Sequence, residues 1–598
     1  MGSLPGRGAG NMLVLCRSPC QWVCGFVALK KCWLTMNCPL SILKIIVISM
    51  ALLVGLATAS PAPTNYSAVT QDGKGAIATV NQEATAAALT AYQKGGNAID
   101  AAVAAALTLG VVDGYNSGIG GGCFILIRWA DGRIEAIDGR EMAPAAAHRD
   151  MYLRDGAVDA SLSKVGALAI GIPGSVAAYD YVIKKGGKLS LAQALQAGTL
   201  LAEKGFEVNK LYAQRLNWAG AGIKQFPASA KIFLNNQKKT LQAGDILVQK
   251  DLAATYRKLA KQGADYFYQG EFATQLDAWM KANGGIITRE DFSNYQLKFR
   301  QPLLTQYRGY TLVGYPPPSS GGIHVAQILN MLESFEVSRL SDVDRHHLLV
   351  EVMKLAFADR AYWLGDSDFV NVPKGLTSTE YARSLAAKIT MSKSNPVVQQ
   401  GTPPNVETDF FGKHTTHIAA ADKDGNWVAI TTTVNTSFGS KVVIPGTGVV
   451  MNNQMDDFSI QPGVPNAFGL VGVEANSIQP GKRPLSSMSP TILLKDDKPV
   501  MTLGAAGGPT IITQVVQALV NTVDLEMELP AALAAVRVHH QWRPDVLLTE
   551  ASMPKAEQEE LKARGHSLKI RNYMGATQAI RLNANGGFVA ASEPRLVE

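Results

Sequence analysis

Between residues 390 and 414 the sequence changes character, and that break constrains the fold more than any other feature. The run SKSNPVVQQGTPPNVE is polar and proline-rich, which predicts an exposed linker over 390–414. Before it, residues 150–400 read as helices with short loops. After it, THIAAADKDGNWVAITTTVN (416–435) and ILLKDDKPVMTLGA (492–505) alternate β-branched runs with turn residues and predict two hairpins. IITQVVQALVNTV (511–523) has the apolar spacing of a helix packed on a sheet, and VLLTE and TQAIRLNANGGFVAA add further strands. Hairpins with helices laid on them predict a layered domain of mixed α and β structure.

Upstream, residues 83–110 predict two helices broken at Gly95-Gly96, the second so rich in Ala and Leu that it should be buried on most sides. The glycine run GIGGG (118–122) comes before a strand, whereas a nucleotide-binding loop needs strand, glycines, then helix. Close backbone packing is the expected reason for it. CFILIRWADGRIEAIDGRE predicts two strands about an Asp131-Gly132 turn, and YPPPSSGGIHVAQILNMLE (315–333) a rigid turn feeding an amphipathic helix.

Apolar residues make up 47% and charged residues 18%, which supports a large core and excludes wholesale disorder. Of the formal +7, five charges (Arg7, Arg17, Lys30, Lys31, Lys44) precede residue 60, leaving +2 for the rest. No basic stripe argues for nucleic acid. Five cysteines (Cys16, Cys20, Cys24, Cys32, Cys38) lie in the same leading segment without a histidine, so no metal site is expected there. Only Cys123 remains afterwards, as a small buried residue, and the fold must stand on its core without an internal disulfide. IIVISMALLVGLATA (45–59), preceded by Lys44 and ending in small residues, predicts a secretory signal over 1–59, cleaved after Ala59. Met36 would give a signal of ordinary length, with residues 1–35 untranslated. The body is thus expected outside the cytoplasm, periplasmic or extracellular, or membrane-anchored if the signal is not cleaved.

The chemistry concentrates where the linker ends. Thr415 follows His414 and opens the first strand beyond it. A threonine hydroxyl is a poor nucleophile without an adjacent base. Cutting the bond before Thr415 would free an α-amine, with a pKa of ~7.7–8.0, beside that hydroxyl. Adjacent His539 and His540 would point to opposite faces of a strand and are expected to be structural.

The runs TTHIAAADKDGN, TVNTSFG, NNQMDDFS, PGVPNAFG, KRPLSSMSPT and GAAGG resemble, in order and spacing, the small subunit of bacterial-type γ-glutamyltranspeptidases. GGNAIDAAVAAALTLGVV, GIGGGCF, DGREMAPA and PPPSSGGIH resemble the large subunit, and the likeness covers residues 64–598. The resemblance implies an α+β fold, the four-layer αββα sandwich of N-terminal-nucleophile hydrolases. A large subunit (60–414) and a small one (415–598), made by self-cleavage between His414 and Thr415, would build it jointly as a heterodimer. It implies Thr415 as nucleophile, Thr433 to orient it, and the backbone amides of Gly507 and Gly508 as oxyanion hole. Arg140, with Ser486 and Ser487, would take the substrate α-carboxylate. Asp457, with Asn435 and Gln454, would take the α-ammonium. Glutathione or another γ-glutamyl compound would be donor, and water or an amino acid or peptide amine the acceptor, with neither cofactor nor metal.

Three positions depart from the family pattern. Phe468 stands where many bacterial relatives carry a lid tyrosine, so the lid should be less firmly latched. Ala505-Ala506 replaces a polar or proline pair ahead of the glycines, and Gly114-Tyr115 replaces other residues. Two alternatives stay open: a glutaryl-cephalosporin-acylase-like amidohydrolase, against which the retained Asp457 argues, and an inactive unprocessed homologue, against which Thr415 and the glycine pair argue.

Overall fold

A computed structural model describes residues 66–397, 399–401, 416–461, 465–470 and 474–596. Among them, seven strands form a first antiparallel sheet: β1 (Ser67–Val69), β2 (Gly75–Ala78), β3 (Gly122–Arg128), β4 (Ile134–Gly139), β5 (Lys298–Arg300), β8 (Thr416–Asp422) and β9 (Trp427–Thr433). Their order is β1-β2-β8-β9-β3-β4-β5, so the predicted hairpin after the linker lies at the centre, between strands from before it. A second antiparallel sheet contains β6 (Leu303–Tyr307), β7 (Tyr310–Gly314), β10 (Thr491–Lys495), β11 (Lys498–Ala506), β12 (Ala576–Leu582) and β13 (Phe588–Ala591), in that spatial order.

The alternation of side chains along β3 shows how the layers arise. Phe124 and Leu126 face the second sheet, meeting Tyr315, Ile492 and Ile580 in the space between sheets. Ile125 and Ile127 face the other way, into helices α1 (Gln82–Gln93), α2 (Ala98–Val112), α3 (Ser175–Gly186), α4 (Leu191–Lys204) and α5 (Lys250–Gln262). The far face of the second sheet is covered by α6 (Gly321–Leu332), α7 (Asp342–Trp363) and α8 (Thr510–Val523). The result is the four-layer αββα sandwich expected. Burial of an aliphatic or aromatic side chain contributes ~1.5–3 kcal/mol, so a core of this extent needs no disulfide. Cys123 is buried and free.

Helix α2 is tied to the central hairpin. Asn97 caps it in a capping box with Asp100, and Asp422 at the end of β8 accepts from the Ala98 amide at 2.9 Å. One expectation fails: α6 is not amphipathic in its setting, because all of its residues are buried. It is enclosed by the second sheet, α7 and α8, so its polar His324 and Gln327 bond each other at 2.7 Å instead of meeting solvent. Among the described residues no helix is long and apolar enough to cross a membrane. The expected signal (1–59) lies outside the described residues.

Candidate active site

The glycine run positions the site by close approach. A Cβ on Gly121 would collide with the Thr433 carbonyl, and one on Gly120 with the Val450 carbonyl. Gly122 pairs directly with Thr433 across β3 and β9. The Gly120 carbonyl accepts from both the backbone and side-chain nitrogens of Asn452, at 3.0 and 2.8 Å. The segment carrying Gln454 and Asp457 is thereby held against the end of β9, as close packing required.

Arg140 follows the last residue of β4 and is fully buried. Its Nη2 donates to Asp457 Oδ2 at 2.5 Å and to the Leu485 carbonyl at 3.2 Å, and its Nε donates to the Pro484 carbonyl at 3.0 Å. Its Nη1 lies 3.5 Å from Glu141 Oε2 and has no hydrogen-bond partner among the described residues. Gln454 Nε2 donates to Asp457 Oδ2 at 2.7 Å, while Gln454 Oε1 has no such partner. Asn435 donates its backbone N–H to Thr433 Oγ1 at 2.8 Å and its Nδ2 to the Asn453 carbonyl at 2.9 Å. Asn435 Oδ1 again has no partner among the described residues. In both amides the nitrogen is fixed by an acceptor, so the oxygen side of each is assigned.

The loop after Pro484 completes this wall. Ser486 Oγ accepts from the Met488 amide at 3.0 Å. Ser487 Oγ accepts from Arg360 Nη2 at 2.7 Å. The expected lid residue Phe468 is half-buried in a turn whose neighbour, the Ala467 amide, donates to Asp456 Oδ2 at 3.1 Å. Gly507 and Gly508 follow β11 and precede α8 with φ of 129° and 65°, the left-handed region that glycine tolerates. Amides at a helix N-terminus lack intrahelical partners and favour negative charge. His417, early in β8, packs its ring on Gly504, three residues before Gly507. Thus Arg140, Asp457 and Gln454 form one bonded set, Thr433 and Asn435 a second that meets it through the Asn453 main chain, and the 484–487 loop lies beside them. The glycine pair stands on the facing sheet. His414 and Thr415 lie outside the described residues.

Sequence reasoning missed three neighbours. Glu141 stands beside Arg140, and burial pushes its carboxyl up to about 7 although the guanidinium pulls the other way. Asp113, at the end of α2, accepts from Thr416 Oγ1 at 2.9 Å, and burial pushes it too up to about 7. The unexplained Tyr115 reaches Asp113 through its hydroxyl and packs edge-on to Tyr212, with ring centroids 4.9 Å apart. Arg360 of α7 is the third. Glu141 had a signal, its adjacency to Arg140; the others had none. His539 and His540 do diverge as expected, His539 to Thr513 and His540 to Asp545.

The γ-glutamyltranspeptidase family profile matches residues 84–598. The chain belongs to this family. It is 42% identical to the glutathione hydrolase proenzyme of Escherichia coli K12, over 91% of this chain and 95% of that protein. Among solved structures it resembles a cephalosporin acylase from Bacillus halodurans (28% identity, TM-score 0.79), covering 90% of this chain and 97% of that one. It also resembles the Helicobacter pylori γ-glutamyltranspeptidase (38% identity, TM-score 0.53), covering 55% of this chain and 95% of that one. Family membership makes this chain an acyl-transferring and hydrolysing enzyme with the N-terminal-nucleophile fold. It also gives the polar network of Arg140 and Asp457 a chemical context.

Proposed function

We propose that the chain matures by cutting itself between His414 and Thr415, giving subunits 60–414 and 415–598, and then hydrolyses or transfers the γ-glutamyl group of glutathione and related amides. One observation carries the substrate reading. Around Asp457 the described residues leave a buried donor (Arg140 Nη1, with only Glu141 Oε2 at 3.5 Å) and two buried acceptors (Asn435 Oδ1, Gln454 Oε1) without hydrogen-bond partners. Leaving such groups unmet costs about 1–3 kcal/mol each, so their retention argues for a ligand that meets them. An α-carboxylate supplies acceptors for Arg140 and the serine hydroxyls. An α-ammonium supplies three donors for Asp457, Asn435 and Gln454. A glutaryl group has no ammonium, so the acylase reading leaves the acceptors unmet.

In maturation the Thr415 hydroxyl adds to the His414 carbonyl and the peptide C–N bond breaks, moving the acyl group from nitrogen to oxygen. Water then cleaves the ester, freeing the Thr415 amine and the His414 carboxylate. In turnover that amine takes the hydroxyl proton as Oγ attacks the γ-amide carbonyl. The Gly507 and Gly508 amides stabilise the oxyanion, a contribution whose loss costs ~10²–10³ in rate. The leaving amine departs with the proton, and water or an acceptor amine releases the glutamyl ester. Thr433 orients the nucleophile, and Phe468 covers the bound donor. Export by the 1–59 signal would place this activity outside the cytoplasm.

Intact mass of the wild type beside Thr415→Ala tests the mechanism. Two chains divided at His414/Thr415 in the wild type, one chain in the variant, and release of p-nitroaniline from γ-glutamyl p-nitroanilide by the wild type alone are expected. A folded but undivided wild type would overturn it in favour of the inactive homologue.

A further inference from the structure

We propose that Arg360 is a positioning residue of the carboxylate-binding half of this site, acting through the Ser487 hydroxyl. This rests on the reading of Arg140, Asp457 and Ser487 as the amino-acid-end pocket. Arg360 lies near the end of α7, fully buried, in a helix otherwise packed on the second sheet. Its Nε donates to Ser320 Oγ at 2.7 Å and its Nη2 to Ser487 Oγ at 2.7 Å. A guanidinium has donors only, so both hydroxyl oxygens must act as acceptors toward it. Each serine then has one proton to give elsewhere. Ser320 gives its proton to the Ser486 carbonyl at 2.8 Å. Ser486 Oγ already accepts from the Met488 amide. The hydroxyl protons of Ser486 and Ser487 are therefore both left to an acceptor, and a carboxylate is the acceptor the pocket is built to hold.

Charge points the same way. Arg140 is already paired with Asp457 at 2.5 Å, which offsets much of its attraction for a second anion. Arg360 also stands close enough for Asp457 to favour its charged form, although burial lowers its pKa to about 9, still protonated at neutral pH. Two guanidiniums then face one carboxylate, and the pocket keeps positive charge for a second anion. The local sequence gives no hint of this, since its partners lie 40 and 127 positions away.

Three p-nitroanilides separate the roles: γ-glutamyl (carboxylate and ammonium), glutaryl (carboxylate only) and 4-aminobutyryl (ammonium only), the poor substrates assayed with enzyme in excess. Arg360→Gln should lower kcat/KM for the first two by ~10- to 100-fold, mainly through KM, the loss of a charge-assisted hydrogen bond. The third should change less than twofold. Arg360→Lys should recover part of the loss. Ser487→Ala should reproduce it, and the double variant Arg360→Gln/Ser487→Ala should be no worse than the poorer single. An equal fall for all three anilides, or full additivity in the double, would overturn the proposal. If Arg360→Gln does not mature, the Lys and Ser487 variants carry the same comparison. Asp457→Asn tests the underlying reading separately: it should penalise γ-glutamyl and 4-aminobutyryl but spare glutaryl, and failure there would refute the pocket rather than Arg360's part in it.

Discussion

Helix α7 carries charge into the interior at both ends, and the two ends are built differently. Toward its start, His347 Nδ1 meets His566 Nε2 at 2.7 Å while His347 Nε2 donates to the Thr390 carbonyl at 2.9 Å. Two turns on, Lys354 pairs with Glu351 at 2.7 Å and with Ser394 at 2.8 Å, and Glu351 accepts from the Asn395 amide at 3.1 Å. No buried side-chain nitrogen or oxygen of these four α7 and His566 groups lacks a partner among the described residues. Toward its end, Arg360 joins a cluster in which Arg140, Asn435 and Gln454 each keep one buried polar atom unmet. Both clusters are buried and charged, so burial alone does not mark function. The distinction is whether the protein completes its own hydrogen bonds or leaves a complementary set for something else.

The closed cluster should matter only for stability. Lys354→Met leaves Glu351 buried without its cation, at a cost of about 3–5 kcal/mol. A large fall in Tm, with kcat of the folded, processed enzyme unchanged, is expected. A fall in kcat at constant Tm would erase the contrast. The open cluster should behave in the opposite way. Asp457→Asn removes the buried anion and should cost ~10²- to 10³-fold in kcat/KM for γ-glutamyl anilide, in line with about 2–5 kcal/mol for truncating a buried charge pair. It also strands the buried Arg140, so its loss of kcat/KM in the folded enzyme, rather than its Tm, is what should set it apart from Lys354→Met.

A pH profile sharpens the comparison. The Glu141 carboxyl, ordinarily near 4.5, is raised to about 7 by burial, so the folded chain keeps a proton that the unfolded chain releases. That stability is complete below the unfolded pKa and is lost as pH rises through about 7. Glu141→Gln, neutral throughout, should therefore show a shallower fall in Tm from about pH 5 to pH 8 than the wild type. Parallel curves would mean that Glu141 is already ionised in the fold. Ionised Glu141 at 3.5 Å from Arg140 would also compete with a substrate carboxylate, so the wild-type KM should climb over the same interval and the variant's should not.

What the sequence revealed follows from the same contrast. The hairpins at 416–433 and 491–506 and the helix break at Gly95-Gly96 were legible because turn residues and side-chain period act locally. Arg140 and Asp457 have unremarkable neighbours, and only the alignment of whole motifs with a known family singled them out. Arg360 and Asp113 stayed hidden because their partners are remote: Thr416 lies 303 positions from Asp113. The amphipathic reading of α6 failed for a related reason, since polar residues on a helix imply solvent only if no other element arrives to satisfy them.

The smallest expected effect concerns the turn proposed as a lid. Phe468 is held by its backbone, its amide donating to Asn466 Oδ1 at 3.0 Å and its carbonyl accepting from Gln541 Nε2 at 3.4 Å. The backbone of the turn is therefore anchored at both the amide and the carbonyl of Phe468. A tyrosine there adds a hydroxyl, and a neutral hydrogen bond contributes only about 0.5–1.5 kcal/mol net. Phe468→Tyr should leave maturation and Tm unchanged and shift the ratio of transfer to hydrolysis by ~2- to 10-fold, the reach of one such bond. Partition of the γ-glutamyl ester between water and a dipeptide acceptor measures it directly. An unchanged ratio would show that a hydroxyl at this position makes no bond that bears on the partition, placing this turn with the self-completed cluster of α7 rather than with the open one.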